Sequence, residues 1–261
     1  MENMEKLDRF HAYGEELERR IRLKTFPLAI GMLVSEHDVP QGTFRPLKDF
    51  KHQMPLCQGF AISRREGWSI AMFKEDMICC EPIIGYGFTE APQYFMDGNN
   101  RYPEDVKDIE AGKNYASDFP CLDVGTYTGV ISAPLHSTAF LPDLVMIYCN
   151  SEQLSLLLLG RECKDGHDLK CSLSSHAACV YSVVTVMKSG ACQVAIPCRG
   201  DRYMALAGDD EFIFSIPLEK LEDLIDGLRY VEAANSKLPR TPLMGNTYPL
   251  PPSYFKIRDM L

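Results

Sequence analysis

At 261 residues with 46% hydrophobic content, the chain is long enough for one large domain or two modest ones and can fold without covalent staples. A formal charge of -9 excludes non-specific nucleic-acid binding, which needs clustered lysine and arginine. No apolar stretch approaches a membrane span and the N-terminus lacks an apolar signal core, so ten cysteines in so long a chain are expected to be reduced thiols in the cytoplasm.

Residues 1–26 form an amphipathic entry helix, with Leu7, Phe10, Leu17 and Ile21 at helical spacing and charges between them. A first half, 27–118, opens on a buried strand from Pro27 to Val34. A polar loop then leads to a helix that starts near Cys57 and ends at Gly67, and a strand follows from Trp68 to Phe73. Residues 80–118 read as two or three short helices broken by Pro82, Gly85, Gly87 and Pro92, the last of them starting at Pro103. Ten carboxylates face three basic residues between Glu75 and Asp118, which describes a solvated acidic face.

The second half, 119–236, carries strands at Tyr127–Ala133 and Asp143–Tyr148, then a helix capped by Asn150 or Ser151. A helix over 176–189 and a strand over 191–196 come next. Phe212 to Ile216 is the final strand, and Pro217 opens a helix whose apolar stripe runs through Leu221, Leu224, Ile225 and Leu228. Residues 237–261 form a proline-rich extended arm that packs on the body or on another subunit, which leaves room for a homo-oligomer. The fold class expected is α+β (mixed α/β): two pseudo-repeated sheet-and-helix halves in one globular unit.

The repeat is the informative part. Each half runs strand, cysteine opening a helix, glycine, strand, cysteine: Cys57 to Gly67 and Cys80 in one, Cys179 to Gly190 and Cys198 in the other. If the halves pack about a pseudo-two-fold axis, Cys57, Cys80, Cys179 and Cys198 meet and can hold a metal or an iron-sulfur cluster. Cys57 and Cys179 sit where free backbone N–H groups favour a thiolate. Of the adjacent Cys79 and Cys80, only one can face the same centre, and Cys80 is preferred. The competing reading is that these are buried structural cysteines, and no C-x-x-C pair supplies a zinc-ribbon or ferredoxin signature. Cys121, Cys149 and Cys192 read as core. His176, three residues before Cys179, is a neighbour of the metal or a plain cap. No phosphate loop, nucleophile elbow or zinc-protease helix is present.

Cys57 with Ala61, then Cys80, and later Cys179 ahead of Pro197-Cys198-Arg199-Gly-Asp-Arg202, Asp209-Asp-Glu211 and Ile216-Pro217-Leu218 form a recognisable set. Over roughly residues 20 to 230 it resembles the domain of unknown function 169 family, whose members occur mainly in anaerobic bacteria and archaea. The resemblance implies a similar cysteine pattern, from which this chain departs at Cys79 and in the acidic insert near residues 90–118. The expected function is a cysteine-ligated 4Fe-4S protein serving electron transfer or redox chemistry on a small molecule, with a redox partner protein or small-molecule substrate. Two alternatives stand beside it. One is a zinc-binding structural or sensory module at the same thiolates. The other is a protein that binds a tetrapyrrole- or folate-like ligand, with structural cysteines and with Arg199, Arg202 and Tyr203 orienting an anionic group.

Overall fold

The computed structural model describes residues 2–234 and 251–261. Its elements run α1 (Glu2–Ile21), β1 (Leu28–Leu33), α2 (Leu56–Glu66), β2 (Ile70–Phe73), α3 (Cys80–Gly85), α4 (Gln93–Met96), α5 (Ile109–Asp118), β3 (Gly129–Pro134) and β4 (Leu144–Asn150). They continue with α6 (Ser151–Glu162), α7 (Ala178–Tyr181), α8 (Val184–Ser189), β5 (Gln193–Ala195), α9 (Arg199–Met204), β6 (Glu211–Pro217), α10 (Leu221–Ala233) and α11 (Pro252–Arg258).

The strands form one antiparallel sheet in the order β2-β3-β1-β4-β6-β5, so the fold is α+β and the sheet is continuous across the middle of the chain. Alternating side chains explain why both faces are covered. Leu28 and Ile30 of β1 and Leu144, Met146 and Tyr148 of β4 face one core, shared with Leu56 and Phe60 of α2 and with α7 and α8. Ala29, Val145, Ile147 and Cys149 face the other, covered by α1, α6 and α10. There, α6 and α10 approach so closely that a Cβ on Gly227 would lie 1.9 Å from the carbonyl oxygen of Gly160.

The strand order reads the same from either end when β1, β3 and β2 are matched with β4, β6 and β5. The registers follow that match. Leu28 pairs with Met146 and Ile30 with Leu144 around a central Ala29–Val145 pair. Leu28 opposes Pro134 as Leu144 opposes Pro217, and Ile70 opposes Ser132 as Gln193 opposes Ser215.

Several boundaries differ from the sequence reading. The helix expected over 176–189 starts only at Ala178, after Ala177 in the left-handed region (φ 46°), and is broken into α7 and α8 at Ser182 and Val183, where the β-branched run Val183, Val184, Thr185, Val186 begins. The last acidic helix starts at Ile109, not Pro103, because Asp108 accepts the Ala111 N–H (2.9 Å) as the cap while Arg101 draws Asp105 into a turn. Pro217 closes β6 rather than opening a helix; a short turn, Leu218–Lys220, precedes α10. Most of the proline-rich arm, residues 237–250, lies outside the described residues, and its end carries α11. Among the described residues, no helix is long and apolar enough to cross a membrane.

Candidate functional site

Four helix starts converge on the α2/α7 side of the sheet. Cys57 is the second residue of α2 and Cys179 the second of α7, while Cys79 and Cys198 are the residues just before α3 and α9. The helices pack crosswise between the halves. Cys57 and Ala61 of α2 meet Ala205 at the end of α9, and a Cβ on Gly85 of α3 would lie 2.5 Å from Val180 of α7. The Tyr86 hydroxyl, fully buried, donates to the Cys179 carbonyl (2.9 Å) and ties the α3–α7 pair together.

The result is a cavity of about 190 Å³ lined by Cys57, Cys79, Cys179 and Cys198, with Glu81, Arg101, Asp105, His176, Arg199 and Gly200 around them. Gly200 leaves room beside the sulfurs: a Cβ there would lie 3.6 Å from Cys198 Sγ and 4.0 Å from Cys57 Sγ.

Of the residues expected at the site, Cys57, Cys179 and Cys198 come together and Cys80 does not join them. As the first residue of α3, Cys80 is exposed and outside the lining, and its neighbour Cys79 stands in the fourth place. Cys79 is also the residue that matches Cys198, since each directly precedes its helix. The sequence signal was Pro82: proline is tolerated in a first helical turn, which puts the helix start at Cys80 and the preceding position at Cys79.

Arg199, Arg202 and Tyr203 do not converge. Arg199 lines the cavity, Arg202 donates to the Gly208 carbonyl (2.8 Å) and pairs with Asp209, and Tyr203 is 79% exposed. Arg101 had no sequence signal, because its role depends on contacts with Glu81, Asp105 and Tyr115 in separate turns and helices.

All four thiols lie above the ordinary cysteine range, chiefly because burial disfavours the charged form. Cys79 is pushed up to about 11 by burial and by Glu81. Repulsion between the thiols adds to three of them: after burial, Cys57 is raised by Asp201, Cys198 and Cys79, Cys179 by Asp201, Cys57 and Cys198, and Cys79 also by Cys198, whereas the further push on Cys198 comes from Asp201. By contrast, the neighbours that act on Cys80 are Glu81 and Arg101, with no other site cysteine among them. The site is thus a set of protonated thiols, which a strong cationic centre would be needed to ionise together.

Behind Cys198 stands a buried polar chain. Asp201 is fully buried, receives the Cys198 backbone N–H (3.2 Å) and Sγ–H (3.0 Å), and accepts from the Tyr148 hydroxyl (3.1 Å). The Arg64 guanidinium stacks 3.9 Å over the Tyr148 ring and forks onto Glu211 at 3.1 and 3.2 Å. These contacts fix the orientation of α9 and of the Cys198 side chain.

A wider groove of about 560 Å³ lies on the opposite face, beside α6 and α10. It holds no comparable constellation: Lys164 pairs with Asp223, Lys220 donates to the Gly190 carbonyl and Arg161 to that of His167. Among the described residues, no group of three or more His, Cys, Asp or Glu side chains is gathered tightly enough to hold a single metal ion.

Fold and site together define an α+β protein with a cysteine-lined cavity among the helix starts on one face of its sheet. The chain belongs to the DUF169 family (Uncharacterised ArCR), whose model matches residues 16–227. It is also similar to an uncharacterized protein of Methanocaldococcus jannaschii, 22% identical over 206 residues that make up 78% of this chain and 86% of that protein. No solved structure matches the chain.

Proposed function

We propose that Cys57, Cys79, Cys179 and Cys198 hold one 4Fe-4S cluster and that the protein serves electron transfer or redox chemistry on a small molecule. The observation that carries this reading is the convergence of four thiols from four separate helix starts on one small cavity. Soft thiolates select iron-sulfur centres, zinc or Cu(I), and four of them complete a cubane's ligand set. The matched strand order supports a duplicated origin for the two cysteine pairs, with each half supplying one cysteine inside a helix and one just before a helix.

The cluster supplies one-electron storage when bound. The residues of the chain bind it through sulfur, hold the Cys198 backbone N–H on Asp201, which Tyr148 holds in turn, and keep solvent away from Cys57 and Cys179, both buried.

Zinc and a cluster ask different spacings of the same thiols. Tetrahedral zinc–sulfur bonds of about 2.3 Å draw the sulfurs to within roughly 3.8 Å of one another. In a cluster each thiolate binds a different iron, so the sulfurs spread over the whole core. The cavity, at about 190 Å³, is also smaller than the roughly 300–1,000 Å³ that a drug-sized or tetrapyrrole-like ligand fills.

The test is anaerobic isolation followed by iron and acid-labile sulfide assays and a visible spectrum. The reading predicts about four of each per chain and a broad brown absorption. Colourless, iron-free protein that takes up no cluster on reconstitution overturns it, and stoichiometric zinc in its place turns the site into a structural one.

A further inference from the structure

Arg101 presents a buried hydrogen-bond donor that nothing among the described residues accepts. The residue is 8% exposed and lines the cysteine cavity. Its terminal nitrogens are occupied: one bonds Asp105 (2.9 Å), the other bonds Glu81 and the Tyr115 hydroxyl (3.0 Å), and the guanidinium stacks on the Tyr115 ring at 4.5 Å. The Nε is buried without a partner. A buried N–H left unpaired is costly and calls for an acceptor. The protein groups around Arg101 are already engaged through its other nitrogens, and the space it borders is the one lined by the four thiols.

We infer that Arg101 tunes the redox centre: its Nε–H donates to a sulfur of the bound cluster, and its charge offsets the negative charge of the four thiolates. This rests on the cluster reading above. Hydrogen bonds to the sulfurs and local net charge are two of the levers that set an iron-sulfur potential. Reduction adds one negative charge to the centre, so a nearby guanidinium stabilises the reduced form more than the oxidised one. Arg101 also acts on geometry, since its bond to Glu81 anchors α3, the helix that follows Cys79. It is therefore a positioning residue with an electrostatic task.

The experiment compares reconstituted wild type, Arg101→Gln, Arg101→Lys and Arg229→Gln by potentiometric titration under anaerobic conditions. Arg101→Gln is expected to lower the equilibrium constant for one-electron reduction at least tenfold, which is a potential about 59 mV or more lower. Arg101→Lys, which keeps the charge and lacks Nε–H, falls between the two, and Arg229→Gln, at an exposed position of α10 on the other face of the sheet, changes it less than threefold.

Should Arg101→Gln fail to fold or to take up cluster, wild type labelled with ¹⁵N at arginine Nε decides the matter by pulsed electron paramagnetic resonance of the reduced protein. A ¹⁵N coupling lost in Arg101→Lys and kept in Arg229→Lys supports the inference, and no coupling in the wild type overturns it. An unchanged potential in cluster-loaded Arg101→Gln overturns the tuning role alone, whereas wild type that binds no cluster overturns the reading of the site itself.

Discussion

Replacing Gly200 with alanine separates the stability of the fold from the capacity of the site. In the cluster-free protein the new methyl meets Cys198 Sγ at 3.6 Å and Cys57 Sγ at 4.0 Å, ordinary van der Waals contacts that displace nothing. The position lies within α9, where alanine is favoured over glycine by about 0.5–1 kcal/mol. For a chain of this size that raises Tm by about 1–3 °C. With the cluster bound, the same methyl takes up space beside two of the four ligands. Overpacking of about 1–3 kcal/mol then weakens cluster binding by roughly five- to 150-fold. Differential scanning fluorimetry of the cluster-free form and iron content after limited reconstitution read the two effects separately. A variant with a raised Tm and wild-type cluster content at limiting iron would refute the argument, since the space beside Gly200 would then not be the cluster's.

Other outcomes follow from the same geometry. Cys79→Ser is expected to lose most of its cluster while Cys80→Ser keeps at least four-fifths of the wild-type iron, measured as iron per chain; the reverse pattern would return the fourth ligand to Cys80. In cluster-free protein, alkylation of Cys79 by iodoacetamide should climb about tenfold per pH unit from pH 7 to 10 without levelling near 8.5, because a thiol raised to about 11 gains thiolate throughout that window. Peptide mass spectrometry reads the rate, and a plateau below pH 9 would contradict the burial argument. Arg64→Met leaves Glu211 without its buried fork and should cost about 3–5 kcal/mol in urea unfolding; a loss under 1 kcal/mol would mean that the pair is not structural. Tyr148→Phe removes a donor from buried Asp201 and should cost about 1.5–3 kcal/mol by the same assay, with no loss there weakening the case that Asp201 needs this bond.

Much of the framework was readable from local pattern. Short apolar runs located all six strands, and Asn150 was identifiable as the α6 cap because an asparagine precedes Ser151-Glu152-Gln153; its side chain accepts the Gln153 N–H at 2.9 Å. Three of the four cavity cysteines were found from spacing, since Cys57 and Cys179 begin helices after a strand and Cys198 follows one. Cys79 was weighed and passed over for Cys80, because adjacent cysteines differ only in direction, and direction depends on where α3 starts.

Pro103 misled for a related reason. Proline permits a helix start, but here the tertiary contacts of Arg101 hold the following residues in turns. Arg101 itself was invisible, since its partners Glu81 and Tyr115 are near it in space and separated from it by 20 and 14 positions along the chain. The late start of α7 depends on the left-handed Ala177, which no residue preference announces.

X-ray absorption at the iron edge of anaerobically loaded protein tests the central claim most directly. The account predicts iron surrounded by sulfur alone with a second shell of iron scatterers, lost when Cys57, Cys79, Cys179 or Cys198 is singly replaced by serine and retained in Cys80→Ser. Iron bound through nitrogen or oxygen without neighbouring iron, or no bound iron at all, would contradict it.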